Sequence, residues 1–308
     1  MKDGVLIVDK PQGCTSFDVV AAVRRLCGQR KVGHTGTLDP MATGVLPILL
    51  GRATRAASLI PDTDKAYQAR FRLGVATDTQ DCTGTVYRQW DKTVSRAEIE
   101  AVIPQFLGEI RQVPPMYSAV RKDGKRLYEL ARQGVTVERE ARPVTIYRCA
   151  LEGYDEENQE GTLAVSCSKG TYIRTLCADL GEALGTGAIL TALRRTAACG
   201  FSLENALPLE EARRIVAGGG SLEPYVLPVE RLFSHLEAVS VSAPQARRFG
   251  NGGSLALSRT GISRDKWEEG RAFRVLDPEG RFLGLGQAAL GGEEPSLKIL
   301  RVFKGGEE

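Results

Sequence analysis

Only two histidines, three methionines and two tryptophans occur in 308 residues, and aromatic side chains make up 6% of the chain. Seven cysteines (14, 27, 82, 149, 167, 177 and 199) include no C-x-x-C pair, so neither histidine nor cysteine supplies the spacing of a structural zinc site. Their odd number argues against a disulfide framework and fits a reducing cytoplasm. Long apolar runs are also missing. The longest, Val45 to Leu50, is far below the roughly 20 residues of a membrane helix. The N-terminal Val5-Leu6-Ile7-Val8 is flanked by Asp3 and Asp9 and lacks a secretory pattern. No internal repeat, low-complexity tract, P-loop or Rossmann glycine fingerprint is present, and nothing calls for a cofactor or a metal.

What is there is an ordinary globular composition, 42% hydrophobic and 26% charged, long enough for two domains. The net charge of +3 is unremarkable, but its distribution is uneven. From Arg111 to Arg148 nine Lys and Arg stand against four Asp and Glu, so this segment carries +5 and the rest of the chain −2. Such concentration suits a partner made of phosphates, although a solvated charged face is the commoner meaning of a basic cluster.

Hydrophobic spacing sorts the chain into interleaved helices and strands. Ser16 is placed to cap a helix carrying Val19, Val20, Val23 and Leu26. From Tyr67 the period becomes two, with Tyr67, Ala69, Phe71, Leu73 and Val75 on the apolar face of a strand. Thr77 to Gly84 is turn-rich, and Ser95 to Glu98 is a capping box opening a helix through Ile99, Val102, Ile103, Phe106 and Leu107. Residues 114–142 carry Arg121, Lys122, Lys125, Arg126 and Arg132 around a turn at Asp123-Gly124, then a short helix with Leu127, Leu130 and Ala131. After a strand through Leu163, Val165 and Cys167, Thr171 starts a helix closed by Gly185. Gly218-Gly219-Gly220 is a local break. Beyond Leu236 two short strands flank the Asp277-Pro278-Glu279-Gly280 turn, the mark of a small β-rich unit. Without a regular βαβ period, the fold class expected is α+β: a mixed, mainly antiparallel sheet with flanking helices, followed by a small β-rich domain.

One carboxylate stands out from this background. In Gly33-His34-Thr35-Gly36-Thr37-Leu38-Asp39-Pro40 and on through Met41-Ala42-Thr43-Gly44-Val45-Leu46, Asp39 sits in a tight turn that opens onto an apolar run. Gly33 and Gly36 offer backbone freedom and close approach, and Pro40 restricts Asp39 toward extended geometry, a stiff mount suited to a reactive group. An aspartate before proline is otherwise a turn or cap residue.

This stretch resembles the catalytic motif of the TruB family of pseudouridine synthases, bacterial enzymes that isomerise a uridine in the T arm of transfer RNA. Further blocks carry the resemblance over about residues 1 to 235: Val8-Asp9-Lys10-Pro11 with Thr15-Ser16, Lys65-Ala66-Tyr67, Val113-Pro114-Pro115-Met116-Tyr117-Ser118-Ala119, Gly170-Thr171-Tyr172-Ile173-Arg174 and Leu193-Arg194-Arg195-Thr196. Met41 replaces an expected leucine, a volume-conserving swap. The resemblance implies a pseudouridine synthase domain over 1–236, with 114–142 as a basic, RNA-gripping insertion, and a PUA-like RNA-binding domain over 237–308.

It also implies roles. Asp39 is the nucleophile or the base acting on the sugar. Arg174 pairs with it, because an opposite charge at hydrogen-bonding distance favours the ionised form of a carboxylate in a dry pocket. Tyr67 stacks on the extruded uracil, and its hydroxyl takes the C5 proton directly or through water. Tyr172 and Leu193 close over the base, His34 contacts the RNA in the space the base vacates, and Lys10 and Pro11 lie near the site without a chemical step. Lys122, Lys125 and Arg126 grip the T-arm helix through phosphates. By themselves, Tyr67, Tyr172 and Leu193 are packing residues by pattern, Arg174 a surface or ion-pair residue and His34 a turn residue. The partner implied is tRNA. No membrane and no protein partner are implied, and a monomer is compatible. The alternatives are a pseudouridine synthase for other RNA, a noncatalytic RNA-binding or RNA-folding protein on the same scaffold, and an aspartyl-phosphate phosphotransferase. No D-x-D pair accompanies Asp39 to support the last.

Overall fold

Val5 to Val8 are buried on both faces of the first strand, β1 (Gly4–Lys10), Leu6 and Val8 in one core cluster and Val5 and Ile7 in another. The computed structural model from which this is read describes residues 2–60, 64–118, 120–122, 124–292 and 294–303, apart from the side chains of Lys122 and Arg126. Helix α1 (Ser16–Leu26) lays Val19, Val20 and Val23 on the same sheet face as Leu6 and Val8. Its cap is Thr15, not Ser16. Thr15 Oγ1 accepts from the Asp18 N–H at 3.1 Å, and Asp18 accepts from the Thr15 N–H at 2.8 Å. Ser16 is thereby released to bind the Asp39 loop, where its Oγ accepts from the Leu38 N–H at 2.8 Å.

Strands β2 (Val32–His34), β3 (Thr43–Leu50) and β4 (Lys65–Leu73) follow. In β4 the expected alternation is present, with Tyr67, Ala69, Phe71 and Leu73 all inward. A hairpin of β5 (Val75–Thr77) and β6 (Val86–Gln89) frames the turn-rich loop, and α2 (Arg96–Val102) starts at the Ser95–Glu98 capping box. The helix expected to run to Leu107 tightens into a 3-10 turn over Ile103–Phe106, because Pro104 has no N–H to give an α-helix. Then come β7 (Gly108–Gln112), the hairpin β8 (Arg121–Lys122) and β9 (Lys125–Arg126), and the short α3 (Leu127–Ala131). Asp123, part of the expected turn, lies outside the described residues, as does Ala119 of the expected motif; Gly124 has φ +80. Next are β10 (Arg142–Asp155), β11 (Glu160–Cys167) and α4 (Ile173–Ala183). The cap position of α4 is Tyr172, and Thr171 instead donates its hydroxyl to Ser168 O at 2.9 Å. Gly185 closes the helix at φ +71. Strands β12 (Ala188–Ala198), β13 (Phe201–Ser202) and β14 (Leu207–Pro208), helix α5 (Leu209–Ala217) and β15 (Val226–Leu227) complete this part. Gly218 is the C-cap of α5, so the three-glycine break is a helix end rather than a link between domains.

Among the described residues these strands make one eleven-stranded sheet in the order β14-β1-β3-β12-β4-β11-β10-β7, with β2 on β3, β13 on β12 and β15 on β1. All pairings are antiparallel except β1 with β14 and β3 with β12. Helices α1 and α5 contribute to the core of the β1–β3 half and α2 and α4 to that of the β4–β11 half. Beyond it, β16 (Ala238–Ser240), β17 (Leu255–Ala256), β18 (Ala272–Leu276), β19 (Phe282–Ala289) and β20 (Ser296–Val302) form a separate five-stranded sheet beside α6 (Ala243–Gly250), with β18 and β19 joined at the expected Asp277–Gly280 turn. Phe233 packs against Phe282 and Phe303 at ring-centroid distances of 6.5 and 6.0 Å, tying the second sheet to the first. The architecture is the mixed α+β fold with a β-rich C-terminal unit that the sequence implied.

Candidate active site

Strands β3 and β12 run parallel and meet over only two residue pairs, Arg194 with Thr43 and Arg195 with Gly44, so the main sheet has a seam there. Gly44 sits at φ +105, and a Cβ on it would lie 2.2 Å from the Arg195 carbonyl oxygen. Only glycine lets the two halves close. This corrects the expectation for Gly33 and Gly36. Neither has a positive φ, and a Cβ on Gly36 would meet Arg195 and Lys65 at ordinary contact distances of 3.6 and 3.9 Å.

The loop carrying Asp39 leads into β3 at this seam. Lys10, fully buried, donates from Nζ to Ala42 O at 2.6 Å, Pro11 O at 3.0 Å and Pro40 O at 3.3 Å. The Gly13 N–H donates to Pro40 O at 2.9 Å, and Arg195 donates to Val45 O at 2.7 Å and Gly36 O at 3.1 Å. Buried Leu38 and Met41 flank the carboxylate and share one core cluster with Tyr67, Ile173 and Leu193. Backbone carbonyls at four points along this stretch, Gly36, Pro40, Ala42 and Val45, thus accept from buried cations, which fixes the loop from within.

Asp39 Oδ2 lies 3.1 Å from Arg174 Nε. The arginine side chain is 6% exposed and the aspartate 37%, so a buried guanidinium supports a carboxylate that is partly open to solvent. Arg174 also donates to Thr79 O at 3.1 Å and Tyr117 O at 2.9 Å and stands 3.6 Å from Asp81 Oδ2. Asp81 in turn accepts from the hydroxyls of Thr79 and Thr83 at 2.7 and 2.6 Å. A buried guanidinium held on all sides in this way offsets its desolvation and has one geometry to offer its partner.

Tyr67 lies opposite Arg195 in register, its ring buried. Burial pushes its hydroxyl up to about 12, with Arg195 pulling the other way, so it remains a phenol at neutral pH. Tyr172, half-buried, has its backbone clamped by buried Gln112: its N–H donates to Oε1 at 3.0 Å and its carbonyl accepts from Nε2 at 3.3 Å. His34 ends β2, and its Nδ1 accepts from the Gly36 N–H at 3.2 Å. Burial, and then the nearby Arg195, lower its pKa and keep the imidazole neutral.

Asp39 is thus paired with Arg174 and lies near Tyr67, Leu193 shares a core cluster with Tyr67, Leu38 and Met41, Tyr172 precedes Arg174 by two residues, and His34 lies near Arg195. Lys125 stands apart on the β8–β9 hairpin, and the side chains of Lys122 and Arg126 lie outside the described residues. Among the described residues no group of three or more His, Cys, Asp or Glu gathers as a metal site. A cavity of about 400 Å³ lined by Trp90, Asp179, Glu182 and Thr186 borders another part of α4 and does not include Asp39.

Four contributors escaped the sequence reading: Arg195, Asp81, Gln112 and the anchoring task of Lys10. For Arg195 a signal exists, since strand alternation puts it on the same face as Leu193, where an arginine must be buried. Gln112 and Asp81 are ordinary polar residues until the fold brings α4 against them.

A mixed sheet split at a glycine seam, with a carboxylate and a guanidinium facing each other beside a buried tyrosine, fits the pseudouridylate synthase class. The model of the TruB family pseudouridylate synthase N-terminal domain matches residues 24–173, and that of the tRNA pseudouridylate synthase B C-terminal domain matches 174–234. The chain belongs to the TruB family. It is 43% identical to "tRNA pseudouridine synthase B" of Pseudomonas aeruginosa (strain UCBPP-PA14), covering 97% of this chain and 96% of the relative. With the protein of the same name from Dechloromonas aromatica (strain RCB) it is 44% identical over 94% and 93%. Among solved structures it resembles a chain of a Cbf5-Nop10-Gar1 complex (TM-score 0.75, 26% identity, 98% of this chain and 85% of that one) and one of an H/ACA RNP bound to a substrate RNA containing 2'-deoxyuridine (TM-score 0.73, 25% identity, 98% and 85%). The junction between the two family models falls in the first turn of α4, and residues 174–234 supply strands to the same sheet as residues 24–173.

Proposed function

We propose that this chain isomerises a uridine of the T-arm loop of tRNA to pseudouridine, using Asp39 as the essential carboxylate. Its activity as a pseudouridine synthase on tRNA follows from the family and from relatives that carry that name over nearly their whole length. The observation that carries the assignment of Asp39 is its 3.1 Å pairing with a buried Arg174 beside Tyr67.

The reaction breaks the bond from ribose C1′ to uracil N1, turns the detached base, joins C1′ to C5 and removes the C5 proton while N1 takes one up, with no net oxidation. The base must leave the stack to reach the site. Asp39 attacks C1′ or takes a proton from the sugar; both begin from an ionised carboxylate, which the Arg174 guanidinium favours. Tyr67 stacks on the uracil, and Leu193 walls it in. With its hydroxyl pushed up to about 12, Tyr67 passes the C5 proton to water as a phenol rather than capturing it as a phenolate. Tyr172 contributes its ring, since its backbone groups are occupied by Gln112. His34, neutral, fills the space the base leaves.

The basic segment 114–142, through Lys122, Lys125 and Arg126, grips the T-arm helix. We divide the chain into a catalytic unit over 1–236 and a PUA-like RNA-binding unit over 237–308, and place the work in the cytoplasm with tRNA. No helix of the described residues is long and apolar enough to cross a membrane.

The test is tritium release from a T-arm stem-loop labelled at uridine C5. Asp39→Asn is expected to lower release by about 10³-fold or more while retaining RNA binding. Release within about 10-fold of wild type would remove Asp39 from the chemistry.

A further inference from the structure

Lys65 is a half-buried cation without a matching anion. It opens β4 two residues before Tyr67 and on the same inward face, so the two side chains stand about 7 Å apart along the strand. Its stem runs beneath the Asp39 loop, with Cε 3.9 Å from where a Cβ on Gly36 would be, beside the Arg195 guanidinium. Across the strands it pairs with Cys167 and Ala198. The charged groups near it are Arg195 and Lys169, both of its own sign, and among the described residues no carboxylate reaches ion-pair distance. Burial, and then Arg195, lower its pKa.

The wider site has the same imbalance. Lys10, Lys65, Arg174 and Arg195 gather around Asp39 and Asp81, both already engaged by Arg174, and the further carboxylate that acts on Lys10, Asp18, is bound to Thr15. The Lys65 stem is half-buried but its ammonium is not among the sealed, unpartnered polar atoms, so a positive charge with no anion of its own meets solvent beside the Asp39 loop and is open to an anion that arrives later.

We infer that Lys65 binds the backbone phosphate flanking the uridine that enters the site. With the base on Tyr67, the sugar-phosphate edge of the same nucleotide falls within reach along β4 toward Lys65 and the turn at Thr35-Gly36. This rests on the RNA-substrate reading above. A lysine serves here as a point charge, able to follow a phosphate that arrives with a flipped nucleotide. Binding supplies the missing counter-charge in a partly dry place, where it acts more strongly than on the open surface.

The experiment is a chemical double-mutant cycle on binding. T-arm stem-loops carrying one neutral methylphosphonate linkage on either side of the target uridine are titrated against wild type, Lys65→Met and Lys65→Arg. For wild type, one of the two linkages is expected to raise Kd about 3- to 10-fold. Lys65→Met raises Kd for the natural RNA by a similar factor, flattens the salt dependence by about one phosphate's share, and no longer responds to that linkage. Lys65→Arg keeps the response. A second readout separates this from a packing role: Lys65→Met, free of the unpaired charge, is expected to melt no lower than wild type, whereas a structural lysine would lower the melting temperature. The inference is overturned if wild type and Lys65→Met respond alike to both linkages, or if Lys65→Met binds the natural RNA as well as wild type does. If Asp39→Asn retained tritium release while the Lys65 cycle behaved as expected, the catalytic assignment would fail and the phosphate contact would stand.

Discussion

The Asp39 loop and the basic β8–β9 hairpin are both assigned to the same RNA, yet they are built in opposite ways. In the loop, the carbonyls of Gly36, Pro40, Ala42 and Val45 each accept from a buried cation, and Leu38 and Met41 are locked in the core on either side of the carboxylate. In the segment from Val120 to Arg132, Leu127 is the one buried side chain among the described residues, and Arg121, Lys125 and Arg132 stand in solvent. Bond-making requires placement to a fraction of an ångström, which only over-determined packing provides. Holding a phosphate backbone requires charge and adaptability, and a rigid mount would add little.

The contrast is tested most severely at Arg174. Arg174→Lys keeps the charge but cannot serve Asp39, Asp81 and two carbonyls at once, so single-turnover kcat is expected to fall about 10²-fold or more with RNA affinity little changed. A loss confined to affinity would show that the guanidinium belongs to the grip instead.

A smaller effect, with the opposite split, is expected at the hairpin. Charge reversal of Arg121 and Lys125 together should raise Kd for the stem-loop about 10-fold or more at low salt, shrinking as salt is added, while kcat at saturating RNA stays near wild type. If kcat fell instead, the hairpin would be part of the catalytic geometry and the division between the regions would dissolve.

The smallest effect sharpens the account of the rigid region itself. Asp179, on α4 five residues after Arg174, is pushed up to about 6 by burial and then by Glu182. Because the folded carboxyl holds its proton more tightly than the unfolded one, this group favours folding toward pH 4 and opposes it as pH rises through about 6. Asp179→Asn should remove that slope, raising the melting temperature near pH 7 by about 1–2 °C relative to wild type and losing the advantage near pH 4. Identical pH profiles for the two proteins would mean that α4 tolerates the charge through local water.

Local order was legible wherever one interaction range decides it. The capping box at Ser95–Glu98, the alternation of β4 and the Asp277–Gly280 turn depend on residues a few positions apart, and their physics is complete within the segment. Even there the errors were informative. Ser16 and Thr171 both stand where the pattern starts a helix, yet both hydroxyls are engaged elsewhere, Ser16 on the Asp39 loop and Thr171 on Ser168.

Sequence alone also singled out Asp39, because a carboxylate before proline in a glycine-bracketed turn is a local pattern, and the family motifs attached Tyr67 and Arg174 to it. What sequence could not settle was which glycine and which cations make the site possible. Gly44 is required because β12, some 150 positions further on, passes 2.2 Å from where its side chain would begin. Arg195, Asp81, Gln112 and Lys65 acquire their meaning from desolvation and from partners distant in the chain. Those quantities do not exist until the two halves of the sheet have closed on each other.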